Sequence, residues 1–184
     1  MGLTIADTYY LKARAAMGGF CNDWEVVCES LNYALSYDEN HCQALCLLGE
    51  VYARNLNQYT EAFECFDKVI TINSDYVDVY PMYAKYLIWA DEIERAYKLL
   101  LFAFTIKGID KAYLYSITAY ALETKENYKM ALKQLKEAKR YSFNNYFAYF
   151  IKEEENRIKK KLKLDKSKGR KKKSSSKKRK KKNK

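Results

Sequence analysis

The stretch ALCLLGEVYARNLNQYTEAFECFDKVITINS, residues 44–74, decides the fold. It reads as two amphipathic helices joined by a short polar link. In the first half Leu45, Leu48, Gly49 and Tyr52 recur at steps of three and four, which puts them on one helix face. In the second half Ala62, Phe66 and Val69 stand at i, i+4 and i+7, again on one face. Gly49 falls where the two helices cross, and Phe66 is large enough to fill the space between them. Asn57-Gln58-Tyr59 lies between the halves, where Asn suits a cap or tight link.

Working outward, the same figure returns on both sides. Val27-Leu31-Ala34, Ala62-Phe66-Val69, Ala96-Leu100-Ala103 and Ala131-Leu135-Ala138 follow one another at offsets of 35, 34 and 35 residues. A first helix precedes each, with Tyr83-Ala84-Lys85-Tyr86-Leu87 and Thr118-Ala119-Tyr120-Ala121-Leu122 matching the window around Gly49. Asn22-Asp23-Trp24, Ala90-Asp91-Glu92 and Glu126-Asn127-Tyr128 are the corresponding links. Residues 4–141 are therefore expected to form eight antiparallel helices in four pairs. One proline and six glycines in 184 residues agree with helices on short links and disfavour sheets. Pro81 falls in the first turn of its helix, where a missing donor costs little.

This pattern resembles the tetratricopeptide repeat family, whose period is about 34 residues. Leu45, Leu48, Gly49, Tyr52, Ala62, Phe66 and Val69 fit the family pattern, with one extra residue in the inter-helix turn. Tyr80, Ala84, Leu87, Ala96, Leu100 and Ala103 fit it in the third repeat. The first and fourth are more degenerate: Arg14 stands at a usually apolar place, and Val27 at a usually small one. Glu39, Ser74, Gly108 and Phe143 stand near the family's usual proline. The resemblance implies an all-α fold, an antiparallel helix-pair solenoid, acting as a non-enzymatic protein-binding scaffold. In the family the first helix of each pair makes the concave binding face. Carried over residue by residue, that face comprises Tyr9, Lys12 and Phe20, then Gln43, Glu50 and Arg54. The third and fourth repeats add Lys85, Ile88 and Trp89, and Tyr113, Ser116 and Tyr120. Trp89 reads equally as groove or as core. Some family members grip the C-terminal carboxylate of heat-shock chaperones through Lys, Asn and Arg. Of that set only Lys12 matches, with Cys46, Leu47, Asp78 and Met82 at other places, so that partner is not expected.

From Asn144 the pattern changes. Phe147, Phe150, Ile151, Ile158 and Leu162 form an apolar stripe, and Glu153-Arg157 and Glu155-Lys159 are i, i+4 pairs. This reads as the cap helix a repeat stack needs at an open end. Beyond it the charge changes abruptly. Lys159 to Lys184 hold 17 of the 34 basic residues and one of the 23 acids, a net of +16, while the rest of the chain nets −5. The segment from Ser167 onward has no apolar residue and cannot build a core. The expected organisation is a repeat domain over 4–143, a cap helix over 144–166 and a disordered polybasic tail over 167–184.

A polycation of this density binds phosphate polyanions by counterion release, without reading sequence. The candidate residues are Lys168, Arg170, Lys171, Lys172, Lys173, Lys177, Lys178, Arg179, Lys180, Lys181, Lys182 and Lys184. Their target is read first as RNA such as the ribosome, or other nucleic acid. An anionic membrane surface is the alternative, with the chain as a docking subunit or chaperone of a membrane or secretion complex. Lys177 to Lys182 would also serve nuclear import in a eukaryote. Self-association through the end repeats stays open.

Catalytic chemistry has no foothold in the sequence. There is one histidine, no Gly-rich phosphate loop and no embedded Ser/His/Asp or Cys/His set. His41 with Cys42 and Cys46 is at most half a zinc site, so neither metal nor cofactor is expected. Five cysteines, an odd number without framework spacing, suit thiols in a reducing compartment. No leader and no run of about 20 apolar residues is found, and a cytoplasmic location is expected.

Overall fold

The computed structural model describes the backbone of residues 2–18 and 23–182 and the side chains of 2–18 and 23–165. The described residues are helical with no strand, and the protein is all-α, of the helix-pair solenoid class. The helices are α1 (Ile5–Met17), α2 (Trp24–Tyr37), α3 (Cys42–Val51), α4 (Tyr59–Ile72), α5 (Val79–Trp89), α6 (Ile93–Ala103), α7 (Lys111–Thr124), α8 (Tyr128–Tyr141) and α9 (Asn145–Lys182). A π-helical turn, Tyr52–Leu56, continues α3. The pairs α1/α2, α3/α4, α5/α6 and α7/α8 pack internally, and α9 packs on α8.

All twelve residues of the recurring small–large–small figure are buried, each at 2% exposure or less. The small members let the first helix of each pair approach closely, and the large ones fill the gap. Gly49 shows how close. An added Cβ would lie 2.7 and 2.8 Å from ring atoms of Phe66 and 3.2 Å from the Ala62 carbonyl oxygen.

The first repeat departs from its expected register. Ala13, not Arg14, stands at the seam, and it is fully buried. Arg14 is exposed and donates to the Tyr10 hydroxyl at 3.0 Å, so it occupies no apolar place. The offset from Ala13 to Gly49 is 36 residues, one longer than elsewhere, because the link after α1 is longer.

Caps set the helix starts. Thr4 and Asp7 form a reciprocal capping box on α1. Asp23, Asp110 and Asn127 cap α2, α7 and α8 through the amides of Val26, Tyr113 and Met130. The turns within the second, third and fourth pairs share one device, a residue in the left-handed region: Asn57 (φ 55°), Asp91 (φ 61°) and Glu126 (φ 56°). After it, the amide of Glu92 reaches the carbonyl of Leu87, and that of Asn127 reaches Leu122, five residues back. In the second pair Gln58 reaches Tyr52, six back. The extra residue of that turn is thus absorbed as the π turn, and Asn57 keeps its place.

The chain divides into two compact units, Met1–Ile109 and Asp110–Lys184. In the first, Phe66 is enclosed by Tyr83 and Tyr86, with ring centroids 5.2 and 6.0 Å away. In the second, Ala131, Leu135 and Ala138 of α8 pack with Ile151 and Ile158 of α9. The expected Glu153–Arg157 pair is not formed. Arg157 instead binds Glu154, one residue on, and Glu123 of α7, because the buried carboxylate offers a better-shielded partner. The Glu155–Lys159 pair is present at 3.0 Å. The backbone of α9 stays helical to Lys182, past 166 where the cap helix was expected to end. Lack of apolar residues bears on packing and does not oppose a helix, since Lys and Arg are good helix formers.

Candidate protein-binding surfaces

Each unit presents the first-helix residues carried over from the family differently. In the first unit, Lys12 of α1 and Gln43 of α3 lie towards solvent, both exposed. Further along α3, Glu50 is half-buried and meets Arg54 of the π turn at 3.5 Å. On α5, Trp89 is 42% exposed, its ring set edge-on to buried Tyr86 at 5.3 Å. The Lys85 ammonium lies over the Trp89 ring, 4.7 Å from its centroid. These residues are of mixed charge, and Trp89 is the one exposed aromatic among them. The half-exposed indole is braced by Tyr86 on one side and by Lys85 on the other.

Two carried-over residues of this unit do other work. Ile88 is buried at 4% exposure, because α5 packs between α4 and α6 and buries more than one face. Tyr9 stacks on Tyr33 and Tyr37 of α2, at 5.1 and 5.9 Å, so its ring turns towards the second helix of its pair. Phe20 lies outside the described residues.

In the second unit Tyr113 is 38% exposed and makes an edge contact with Phe147 of α9 at 6.3 Å. Tyr120 is half-buried. Ser116 is buried, and its hydroxyl donates to the Tyr113 carbonyl at 2.7 Å, so it is not available to a ligand. The side chains of Lys168, Arg170, Lys171, Lys172, Lys173, Lys177, Lys178, Arg179, Lys180, Lys181, Lys182 and Lys184 lie outside the described residues.

Sequence reasoning missed the polar braces. Asp67 of α4 accepts from the Tyr83 hydroxyl at 2.8 Å and from Arg95 at 3.0 Å. The Arg95 guanidinium also lies over the rings of Phe63 and Tyr83, at 5.2 and 5.4 Å, joining α4, α5 and α6. Burial, then the Asp67 carboxylate, hold the Tyr83 phenol above its ordinary range, so it stays protonated and donates. At the start of the chain, His41 Nδ1 accepts the Ala44 amide at 3.1 Å and caps α3, while its Nε2 faces Asp7 at 3.1 Å. Bonds from the Thr4 backbone and hydroxyl, then from His41, hold the Asp7 carboxyl at about 2. In α7, Glu123 is nearly buried, yet it binds Arg157 and Lys161 of α9 at 2.7 Å each. A buried acid followed by a basic cap helix was the available signal.

Burial pushes the Cys46 thiol up to about 12 and the Cys65 thiol to about 11, away from nucleophilic use. Among the described residues, no group of three His, Cys, Asp or Glu side chains is placed to hold a metal. Among the described residues, no helix is long and apolar enough to cross a membrane.

Comparison with known proteins agrees with this architecture. Residues 43–76 match the tetratricopeptide repeat family. No curated protein matches the chain. Among solved structures it is similar to PilF of Pseudomonas aeruginosa, at 17% identity and a TM-score of 0.68 over 83% of this chain and 70% of that one. It is also similar to TTC0263, a tetratricopeptide protein of Thermus thermophilus, at 13% identity and 0.67 over 83% and 80%. A structure of MamA aligns at 16% identity and 0.60 over 92% of this chain and 99% of the other.

Proposed function

The chain is a tetratricopeptide repeat protein, and from that premise we propose that it is a non-enzymatic adaptor, with a protein segment on its first-helix surface and a polyanion on its basic C-terminal stretch. The repeat fold supports a protein-interaction scaffold. The observation that carries the first half is Trp89: a half-exposed indole under Lys85 and against Tyr86, in the same unit as the solvent-facing polar residues of α1 and α3. Such a surface suits an extended segment that offers one apolar side chain for the indole and carboxylates for Lys12 and Lys85.

The second half rests on composition. Seventeen bases in the last 26 residues attract phosphate strongly, and the −5 net charge of the remainder keeps the body from competing. Nucleic acid is the favoured polyanion, structured RNA such as the ribosome in particular; no aromatic among these residues can stack on a base, so the attraction is to phosphate. The adaptor would hold its protein partner near that RNA in the cytoplasm.

Two measurements test the reading. Protein recovered with the tagged full chain is compared before and after nuclease, and with Trp89→Ala. Ribosomal proteins should leave with nuclease, and a nuclease-resistant partner should leave with Trp89→Ala. Separately, affinity for single-stranded RNA should fall with salt, at a log–log slope of about −0.7 per phosphate neutralised. Replacing Lys177, Lys178, Arg179 and Lys180 by Ala should flatten that slope. An unchanged slope would place any polyanion site on the repeat body and reject the tail as anchor.

A further inference from the structure

One face of α9 is left over by everything above. Ile151 and Ile158 bury the opposite face on α8, and Glu123 holds it through Arg157 and Lys161. Turned away from the body are Tyr146, Tyr149, Glu153, Asn156, Lys160 and Lys163, all exposed and spaced alternately by three and four residues. That spacing keeps them on one stripe along the helix. Tyr146 is 86% and Tyr149 63% exposed, and Phe143 beside them is almost wholly in solvent. Aromatic rings this exposed on a folded helix mark an interaction surface.

The order of the stripe identifies its occupant. Aromatics come first, then one acid, then a neutral amide, then two lysines with Leu164 at their edge. We propose that this stripe pairs with the same stripe of a second copy of the chain, antiparallel, about a two-fold axis beside Asn156. In that register Glu153 of one copy faces Lys160 of the second copy, and the contact occurs twice. Tyr149 faces Lys163 and Leu164 of the second copy, whose methylene stems cover the ring while the ammonium stays at its edge in water. Asn156 meets itself on the axis, where an amide can both donate and accept and so fixes the register. A two-fold interface of this kind uses one patch on both copies and closes on itself.

The parallel alternative sets Glu153 on Glu153 and Lys160 on Lys160. It also brings together two C-terminal stretches that each carry a net +16 from Lys159 onward. Antiparallel pairing sends those stretches to opposite ends of the seam. Each α9 stays held to its own α8 by the far face. A dimer would then engage a polyanion at two points and gain avidity, though the pairing itself does not depend on what the basic stretch binds.

The test is the mass of the nuclease-treated full chain in solution over a concentration series, by light scattering and sedimentation, at near-physiological salt. The expected result is a concentration-dependent dimer of twice 21.7 kDa. Glu153→Lys and Lys160→Glu should each weaken dimerisation by about tenfold or more, through like charges in two symmetry-related contacts. The two substitutions together should restore it, since they exchange the partners. Because all three variants change exposed residues, helical content should stay at the parental level. A monomer at every concentration would overturn the proposal, as would a dimer indifferent to both single reversals or one not restored by the double. Tyr146→Ser with Tyr149→Ser should also shift the mass to monomer. If it leaves the mass unchanged but abolishes retention on phosphatidylserine vesicles, or loosens single-stranded RNA, the stripe serves lipid or RNA and the proposal fails. The salt slope of the tail is measured independently, so its failure and this one are distinguishable.

Discussion

Replacing Gly49 by alanine adds a single methyl group at the tightest point of the α3/α4 crossing. On intrinsic helix propensity alone the change should stabilise, by about 0.8–1.0 kcal/mol. Packing argues the reverse. The new Cβ would lie 2.7 and 2.8 Å from Phe66 ring carbons, closer than such contacts are tolerated, and 3.2 Å from the Ala62 carbonyl oxygen. That oxygen belongs to the α4 backbone and cannot yield without moving the helix. The Phe66 ring is fully buried, parallel to Tyr86 and tilted against Tyr83, so it has no empty space to enter. Overpacking of this sort costs about 1–3 kcal/mol, which leaves a net destabilisation of about 0–2 kcal/mol after the propensity gain. For a chain of this size that lowers the melting midpoint by up to about 8 °C. The specific signature is the double variant: Gly49→Ala with Phe66→Leu should cost less than the two single changes summed, because the shorter side chain makes room for the methyl. Melts followed by circular dichroism on all four proteins decide it. A Gly49→Ala protein more stable than its parent, or strict additivity in the cycle, would mean that the crossing is not the tight point described.

Three further outcomes follow from the braces and thiols. Because the Asp7 carboxyl is held at about 2 against an ordinary 3.8, its contribution to stability is present above the ordinary value and is lost as pH falls through about 2; an NMR titration should find Asp7 there, and Thr4→Val should raise it, whereas an ordinary value in the parent would refute the cap geometry. Glu123→Ala should destabilise the second unit by about 1–3 kcal/mol and speed amide exchange in α9, while Arg157→Ala should cost less, since Lys161 still meets Glu123 at 2.7 Å; equal exchange in parent and Glu123→Ala would show that the brace does not hold the cap helix. Alkylation of the native protein at pH 8 should modify exposed Cys28 well before Cys46, whose thiol burial raises to about 12; mass spectrometry showing Cys46 modified first would reject its burial.

The parts of the fold that were legible in the sequence are those set by local spacing. Ala62, Phe66 and Val69 lie on one helix face whatever surrounds them, and a figure repeated at 34 or 35 residues can be buried only by helices of like kind. The register of α1 was not legible, because it depends on the length of the link that follows, and one added residue there exchanges Arg14 for Ala13 at the seam. The insertion in the second turn was visible as a count, but whether it would bulge the link or widen the helix depended on Asn57 keeping its left-handed place. The carried-over residues differ in exposure for the same kind of reason. A first-helix position faces solvent only if its helix has a free side, and α5 has less of one than α1 or α3, which buries Ile88 and exposes Trp89.

The ties between repeats carry a signal that local spacing overlooks. Asp7 meets His41, and Glu123 meets Arg157; both pairs are separated by 34 residues, one repeat period. In a stack of like units, residues one period apart occupy equivalent heights on successive first helices, so a charge at one position finds its complement at the next. On this view α9 begins as a fifth first helix without a second: it buries Ile151 and Ile158, and Arg157 satisfies the acid that α7 presents to the next repeat. Of the two i, i+4 pairs in α9, only Glu155–Lys159 forms, an exposed contact worth little, while the bridge that fixes the cap helix spans one repeat period. Complementary charges in such a stack therefore follow the repeat period as well as the helical one. The unpaired stripe on the far side of α9 then gains its meaning: a terminal helix satisfied on one face by the period of its own chain offers the other face, still carrying both signs of charge, to a second copy.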